Sequence, residues 1–329
     1  MPTACLYNGD AMPSRRIFVT GSIAYDVLLS GGGSFADALK GKDLNALSVS
    51  FVTPHFKRHH GGTASNIAWN IALLGGDPLL VGTVGEDGGA YLSLLRERGI
   101  DTAFIEQRTD AVTATAIIAT DDAARQISFF HPGADSLGTW PDFSGERGNV
   151  SHAIVSARSI PQMTEAIAWC VKERIPYLFD PGQQVHGFSD DELRRNLKSC
   201  AGMVVNDFES QLVQHRLKKD ESALACDLPF LIVTRGGEGL SLYEKGKHVD
   251  LPACKADRVV NPTGAGDAFR GGLLVGMAAG WSLSDAAKLG SSLGSFVVEQ
   301  EGTLLDRLDT EEVWMRAQQA YKSMLPHLR

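Results

Sequence analysis

A glycine-rich turn that ends in an acidic residue is the stretch of this sequence best suited to chemistry. Residues 261–267 read Asn-Pro-Thr-Gly-Ala-Gly-Asp and follow the apolar pair Val259-Val260, which predicts the end of a strand. Beyond the turn, apolar residues recur four positions apart, as on one side of a helix, at Phe269, Leu273 and Met277. Because glycine enters strained backbone regions without steric cost, the sequence predicts a strand that passes through a tight turn into a helix.

The start of that helix is a predicted anion site formed by Gly264, Ala265 and Gly266. The first N–H groups of a helix have no intrahelical partner and its dipole favours negative charge, so a phosphoryl group fits there. Asp267 has two interpretations: it caps the helix, or it accepts the proton of a hydroxyl that attacks the phosphoryl group. The turn is not a Walker loop, because no Gly-Lys-Ser/Thr follows, and Phe269 replaces the third glycine of a dinucleotide fingerprint.

The run Asn261–Phe269 closely resembles the C-terminal signature of the PfkB (ribokinase-like) family of carbohydrate and nucleoside kinases. The resemblance implies ATP-dependent phosphorylation of a primary hydroxyl. In that reaction Asp267 accepts the proton, and the turn at Gly264, Ala265 and Gly266 stabilises charge on the transferring phosphoryl group.

Two earlier stretches are candidates for the substrate pocket. Asp26 follows the buried strand predicted at Ile17–Thr20, and open α/β sheets bind ligands beyond the carboxyl ends of their strands. A plain turn aspartate is the alternative, whereas the resemblance implies a carboxylate that binds sugar hydroxyls. Residues 60–76 form a glycine turn and a helix that resemble the family's N-terminal signature. That signature implies three pocket residues: Gly61, Gly62 and Asn66.

Two further stretches resemble the family's ATP-binding parts. Asn206 and Glu209 are three residues apart at a helix start, which predicts a capping box, while the resemblance implies a metal and phosphate motif; the two roles are compatible. The resemblance implies that Glu209 orients Mg²⁺ through water and leaves room for a monovalent cation. ATP is expected on the glycine turn after the next strand, at Thr234, Gly236 and Gly239.

The acceptor is predicted from what surrounds Asp180. The family's sugar kinases carry an Asn and an Arg shortly after this Asp, and Gly182 and Gln184 do not supply them. The run Phe130–Ala134 also resembles bacterial adenosine kinases, and the aromatic rings of Phe129 and Phe130 could either stack on a base or pack the lid. We therefore expect phosphorylation of the 5′-hydroxyl of adenosine to give AMP and ADP. A sugar kinase of the ribokinase or fructokinase kind, and a non-catalytic nucleoside-binding sensor, are the alternatives.

The elements that position these residues alternate between strands and helices. This order predicts one α/β domain over residues 1–329, with a three-layer, doubly wound, mostly parallel sheet. Two consecutive β-runs at 112–120 and 125–131 predict a hairpin, and Leu47–Val52 predicts another exposed strand. We assign them to a small β-sheet lid built from insertions at about 27–60 and 102–131. Such a lid allows either a monomer or a lid-mediated homodimer.

Small residues recur at helical spacing near the end of the chain. Such a surface either lets an adenine ring lie close or marks tight packing between helices, and the second is more common. The residues concerned are Gly290, Ser291, Gly294 and Ser295. Residues 1–15 have no periodic pattern and predict an extension.

Composition excludes several classes of partner. The chain of 329 residues is 43% hydrophobic and has a formal net charge of −8, with no basic run longer than Lys57-Arg58 or Lys218-Lys219. It therefore gives no support for a nucleic-acid or anionic-membrane partner. The 5 cysteines are scattered and predict free thiols in a reducing compartment. No apolar segment is long enough for a bilayer, so we expect a cytoplasmic enzyme.

Overall fold

The computed structural model describes residues 15–43, 46, 48–146 and 148–327. The extension predicted for residues 1–15 lies outside them, apart from Arg15. Strands and helices alternate along most of the described chain. The strands are β1 (Arg16–Thr20), β2 (Ala24–Ser30), β3 (His55–Gly61), β4 (Pro78–Val84), β5 (Ile105–Gln107), β6 (Ala114–Thr120), β7 (Gln126–His131), β8 (Val150–Ser156), β9 (Tyr177–Asp180), β10 (Gly202–Asn206), β11 (Phe230–Thr234), β12 (Leu240–Glu244) and β13 (Lys247–Leu251). The helices are α1 (Phe35–Leu39), α2 (Thr63–Leu73), α3 (Gly89–Glu97), α4 (Ile160–Glu173), α5 (Asp190–Ser199), α6 (Asp207–Leu217), α7 (Glu221–Ala225), α8 (Ala265–Ala278), α9 (Leu283–Val297) and α10 (Thr310–Tyr321).

The large sheet has the strand order β13-β12-β11-β10-β9-β8-β1-β4-β5. Every pair from β11 to β5 is parallel, and β12 and β13 add an antiparallel edge hairpin. Parallel strands covered on both faces consist of nearly continuous apolar runs, as β4 does, in which each of the seven residues is buried. The carboxyl ends of seven strands therefore meet along one edge of the sheet.

The core lies on both faces of this sheet. Successive residues of a strand point to opposite faces, so Phe18 of β1 packs in one apolar cluster with Met163 of α4. Its neighbour Val19 packs in the other cluster with Ile67 of α2 and Leu273 of α8. The three-layer α/β fold predicted from the sequence is confirmed.

A second, four-stranded sheet has the order β3-β2-β6-β7. The predicted hairpin is present as β6 and β7, which pair antiparallel. The strand expected at Leu47–Val52 is not found: residues 48–52 form no strand, and Leu47 lies outside the described residues. Residues 55–61 form the edge strand instead and pair with β2. Apolar and polar residues do not alternate clearly in this charged strand, so the sequence pattern did not indicate a strand there. Residues 105–107, within the predicted lid segment, lie in the large sheet as β5.

The two faces of the small sheet differ in what they present. Residues paired across neighbouring strands share a face, so Asp26, His59, Ala116 and Phe130 form one row on the same face. The opposite face is rich in exposed apolar side chains. It carries Phe56, Ile117, Ile127 and Phe129. Asp26 therefore lies inside β2, and not in the turn that the sequence indicated.

Two properties of the described chain bear on the compositional predictions. None of its helices combines the length and the apolar character that crossing a bilayer requires. Cys5 lies outside the described residues. The other cysteines carry free thiols: Cys170, Cys200 and Cys254 are buried, and Cys226 is exposed.

Candidate active site

The anion turn lies at the N-terminus of α8. Gly264 is the residue before the helix and has φ +86°, a conformation that side chains other than glycine rarely adopt. A Cβ at this position would also lie 2.8 Å from Cβ of Thr303. The first intrahelical bond runs from the Ala268 N–H to the Gly264 carbonyl, at 2.9 Å. Helix geometry therefore leaves the N–H groups of Gly266 and Asp267 without an intrahelical acceptor, as an anion site requires.

Asp267 does not cap this helix. Gly264 occupies the cap position, and no side chain makes a capping bond there. The Asp267 carboxylate instead accepts a hydrogen bond of 2.7 Å from Nδ2 of Asn66 in α2. Oδ1 of Asn66 in turn accepts a bond of 2.8 Å from the Thr303 hydroxyl. The arrangement favours the proton-acceptor interpretation over the cap.

The pKa of Asp267 is raised to about 7, chiefly because the folded chain removes its carboxyl group from water. The Arg270 guanidinium and the bond from Asn66 oppose this rise, while the carboxylates of Asp180 and Asp26 add to it. An ordinary aspartate has a pKa near ~3.9 and is a far weaker base. A carboxyl group that titrates near neutral pH is suited to general-base catalysis.

Arg270, one helical turn beyond the anion turn, is a functional candidate that the sequence analysis missed. Its buried guanidinium donates to the Gly266 carbonyl at 3.0 Å and to Oδ1 of Asp180 at 2.6 Å. It lies 3.8 Å from the Glu209 carboxylate. Oδ2 of Asp180 accepts a bond of 2.6 Å from the Ser156 hydroxyl. The signal was an arginine in a helix whose other residues, Asp267 apart, are all small or apolar.

Asp26, Gly61 and Gly62 are brought together, as predicted. A Cβ on Gly61 would collide with the Asp26 carboxylate, and one on Gly62 would lie 2.5 Å from the Ser22 carbonyl. Gly62 also has φ +96°. The pKa of Asp26 is raised to about 6 by burial. Asn66, on the next turn of α2, directs its amide to Asp267 and links this pocket to the anion turn.

Asn206 and Glu209 form the capping box that the sequence offered as one interpretation. The Glu209 N–H donates to the Asn206 side chain at 2.8 Å, and the Asn206 N–H donates to the Glu209 carboxylate at 2.9 Å. Burial, followed by the Asp180 carboxylate, raises the pKa of Glu209, while Arg270 lowers it. No cluster of three or more metal-ligating side chains occurs in the described part of the chain. A single carboxylate fits Mg²⁺ that keeps most of its waters and is held mainly by substrate phosphates.

The predicted ATP turn lies at the end of β11, next to that capping box. Thr234 pairs in register with Asn206 on the neighbouring strand. Gly236 has φ +54°, and Gly239 has φ +103° and no room for a Cβ against the Leu251 carbonyl. The Arg235 N–H donates to the Gly239 carbonyl at 2.7 Å, which closes the loop. The three predicted residues thus form one turn beside Asn206.

The small residues of α9 serve helix packing. A Cβ on Gly290 would collide with the Phe269 carbonyl, and one on Gly294 would lie 3.1 Å from the Ala265 carbonyl. The Ser291 hydroxyl accepts a bond of 3.0 Å from the Cys254 N–H. The adenine surface suggested for this stripe is therefore not available at its glycines, because α8 covers them.

A cavity of about 780 Å³ lies elsewhere, between the loop after β13 and α10. Its lining includes Cys254, Phe296 and Arg316, and none of the predicted site residues. The Arg316 guanidinium lies 3.6 Å above the Phe296 ring and also bonds Glu299 at 2.7 Å. Cavity volume alone is therefore a poor guide to the reaction site, and the candidate site rests on the side-chain chemistry at the carboxyl edge of the sheet.

Comparison with known proteins identifies the family. The model of the pfkB family carbohydrate kinases matches residues 33–310. A nucleoside kinase of Methanocaldococcus jannaschii is 29% identical over 261 residues, which cover 78% of this chain and 84% of that protein. The structure of the Burkholderia thailandensis nucleoside kinase in complex with inosine has a TM-score of 0.83 and 32% identity, covering 94% of this chain and 99% of that chain. The same kinase in complex with ADP-inosine has a TM-score of 0.80 and 32% identity, covering 95% of this chain and 99% of that chain.

The family expected from the glycine turn and Asp267 is thereby confirmed. The match begins after β1 and β2, covers the remaining strands of both sheets, and includes α8, α9 and the turn between β11 and β12. The chain belongs to the pfkB family of carbohydrate kinases and is a phosphotransferase that acts on an alcohol group.

Proposed function

We propose that this protein is an ATP-dependent nucleoside kinase that phosphorylates the 5′-hydroxyl of adenosine to give AMP and ADP. The observation that carries the proposal is the position of Asp267, a carboxyl group with a pKa raised to about 7 at an anion-binding helix N-terminus. The nucleoside kinases among its relatives, and the inosine bound to one of them, support a purine nucleoside as acceptor.

The small sheet supports a nucleoside over a free sugar. Phe130 shares a face with Asp26, and only Ala116 stands between them in the row. Neighbouring strands are ~4.8 Å apart, so the two positions are separated by roughly 10 Å. If Asp26 accepts hydrogen bonds from ribose hydroxyls, a base can extend across Ala116 towards the Phe130 ring, which is 54% exposed. Phe129 points to the other face and is not proposed to meet the base.

In the proposed mechanism Asp267 accepts the proton of the 5′-hydroxyl as the bond to phosphorus forms. The hydrogen bond from Asn66 orients the carboxylate for this step. The N–H groups at Gly266 and Asp267 and the helix dipole stabilise negative charge on the phosphoryl group. Arg270 donates a hydrogen bond to the Gly266 carbonyl and adds positive electrostatic potential at the turn. Glu209 and Asn206 would hold Mg²⁺ through water, and the ion would neutralise charge on the ATP phosphates.

The small sheet is proposed to act as a lid on a single α/β domain. β3 joins α2 directly through Gly61 and Gly62, so a movement of the sheet relative to the body passes through these residues. Closure would exclude water, which otherwise competes with the nucleoside for the phosphoryl group. The outer face with Phe56 and Phe129 is exposed and accessible to a second copy of the chain, so the proposal includes both a monomer and a homodimer.

A substrate panel tests the proposal. ADP release is measured with MgATP and, in turn, adenosine, inosine, guanosine, cytidine, ribose and fructose, and the product is identified by chromatography. We expect kcat/KM for adenosine to exceed that for ribose or fructose by at least roughly tenfold, or about 1.4 kcal/mol. A higher value for ribose or fructose would place the protein among the sugar kinases. Nucleoside binding without any ADP release would support the sensor instead.

A further inference from the structure

We propose that Thr303 is a positioning residue for proton transfer, because its hydroxyl holds the Asn66 amide with Nδ2 directed at Asp267. The inference rests on the proposed role of Asp267 as proton acceptor. Thr303 lies in the segment after α9, far from both partners in sequence, and carried no signal in the motifs discussed above.

The geometry links three side chains in a line. Oγ1 of Thr303 lies 2.8 Å from Oδ1 of Asn66, and Nδ2 of Asn66 lies 2.7 Å from the Asp267 carboxylate. Thr303 and Asn66 are 2% and 3% exposed, so water does not readily replace either bond. A side-chain amide has an acceptor end and a donor end, and its partners decide which way it points. A donor at Oδ1 therefore selects the orientation that presents N–H to Asp267.

Thr303 is itself fixed by contacts with three segments. Its hydroxyl carries one proton, for which the His60 carbonyl at the end of β3, at 3.0 Å, is a second and longer acceptor beside Oδ1 of Asn66 at 2.8 Å. Its carbon atoms pack so closely on the anion turn that a Cβ on Gly264 would lie 2.8 Å from them. The neighbouring Glu301 pairs with Lys57 of β3 at 2.6 Å. One residue thus joins the small sheet, the start of α2 and the turn of α8.

The consequence concerns the charge state of Asp267. A hydrogen bond donated by Asn66 favours the ionised carboxylate and so lowers its pKa. The other groups that act on this carboxylate are Arg270, which lowers its pKa, and Asp180 and Asp26, which raise it. Loss of the Thr303 hydroxyl lets the Asn66 amide turn its oxygen towards Asp267, which favours the protonated form. Since only the ionised form accepts a proton, the acid limb of activity moves to higher pH.

The test compares Thr303→Val, which keeps the shape and removes the hydroxyl, with Thr303→Ser, which keeps the hydroxyl. The pH dependence of kcat/KM is measured with the best nucleoside of the panel and saturating MgATP. We expect the acid limb of Thr303→Val to move up by about one pH unit and kcat at pH 7 to fall roughly fivefold, with nucleoside KM changed less than about threefold. Thr303→Ser should keep the wild-type limb.

Three outcomes separate the explanations. If Thr303→Val and Thr303→Ser lose activity alike with an unmoved limb, Thr303 is only a packing residue and the inference is wrong. If Thr303→Val does not fold, Thr303→Ala takes its place and should show the same shift, since it also lacks the hydroxyl. Asp267→Asn is measured in parallel: if that variant stays active, the proposed base fails. If Asp267→Asn is inactive and the acid limb of Thr303→Val does not move, the proposed base stands and only the positioning role of Thr303 is refuted.

Discussion

Replacing Asp267 by Asn tests the centre of the proposal with little structural change. The residue is not the helix cap, so the helix loses no capping bond. The new amide oxygen can still accept the bond of 2.7 Å from Asn66, whereas the ability to take a proton and the negative charge of the carboxylate are lost. The variant therefore isolates proton transfer from positioning.

The expected loss follows from the kind of interaction removed. General-base catalysis contributes about 10²–10⁴ in rate, or roughly 2.7–5.5 kcal/mol of transition-state stabilisation. The upper part of that range is favoured here, because a pKa raised to about 7 makes this carboxylate a stronger base than an ordinary aspartate. Affinities for ATP and nucleoside should change little, since the proton moves only in the transition state.

The same substitution should stabilise the fold at neutral pH. The folded pKa of Asp267, about 7, lies above the unfolded value of ~3.9, so the folded chain binds more protons between these values. This group's stabilising contribution is complete below pH ~3.9 and is lost as the pH rises to about 7. The ionised form costs at most on the order of 4 kcal/mol. Asn avoids this cost, so Tm should match the wild type near pH 4 and exceed it by a few degrees at pH 8.

Steady-state ADP release and thermal unfolding across pH 4–9 together check these expectations. The reasoning is refuted if Asp267→Asn keeps more than about a tenth of the wild-type kcat. A Tm difference that is the same at pH 4 and pH 8 would contradict the raised pKa, whatever the activity. Asp267→Glu is the matched control, since it restores the carboxylate one methylene further along and should keep the pH dependence of Tm.

Three further expectations concern the pocket, the buried ion cluster and the small sheet. Phe130→Ala should raise nucleoside KM about fivefold or more and leave ribose turnover unchanged, whereas Phe129→Ala on the opposite face serves as the control; equal effects would exclude stacking at Phe130. Arg270→Met should cost about 3–5 kcal/mol in urea unfolding, because Asp180 is left as a buried unpaired charge, and a loss below 1 kcal/mol would show that the cluster is hydrated. Nucleoside binding should slow hydrogen exchange in residues 112–131, and unchanged exchange there would mean that the hairpin does not close as a lid.

The sequence predicts the large sheet well because its strands and turns are specified by residues that are consecutive in the chain. Buried parallel strands such as β4 and β10 are short apolar runs between helices, and the glycine turn before α8 is written in consecutive residues. The proposed anion-binding groups are backbone N–H groups at a helix start, so the turn itself indicates the candidate site. Asp26 and the pair Gly61-Gly62 were proposed for the substrate pocket from short motifs, and the fold brings them into contact.

What the sequence could not indicate depends on contacts between distant segments. β3 is an edge strand with the residues His-Phe-Lys-Arg-His-His, in which both faces are polar and no period of two appears. Arg270 and Thr303 acquire their roles only through Asp180 and Asn66, which lie 90 and 237 residues away in the chain. The sequence shows Arg270 only as an arginine in a largely apolar helix and gives no signal for Thr303, so the partners of both residues are seen only in the folded structure.

The order in which the chain is synthesised gives the Arg270 cluster a further consequence. Asp180 and Glu209 leave the ribosome before Arg270, as do all strands of the large sheet, the last of which ends at Leu251. Two carboxylates without their cation are costly to bury, so β9 and β10 cannot close this part of the sheet at low cost until α8 has been made. The helix α8, whose Arg270 neutralises these two carboxylates, also begins at the anion turn. A nascent chain therefore completes its proposed phosphate-binding turn and its core in the same late event.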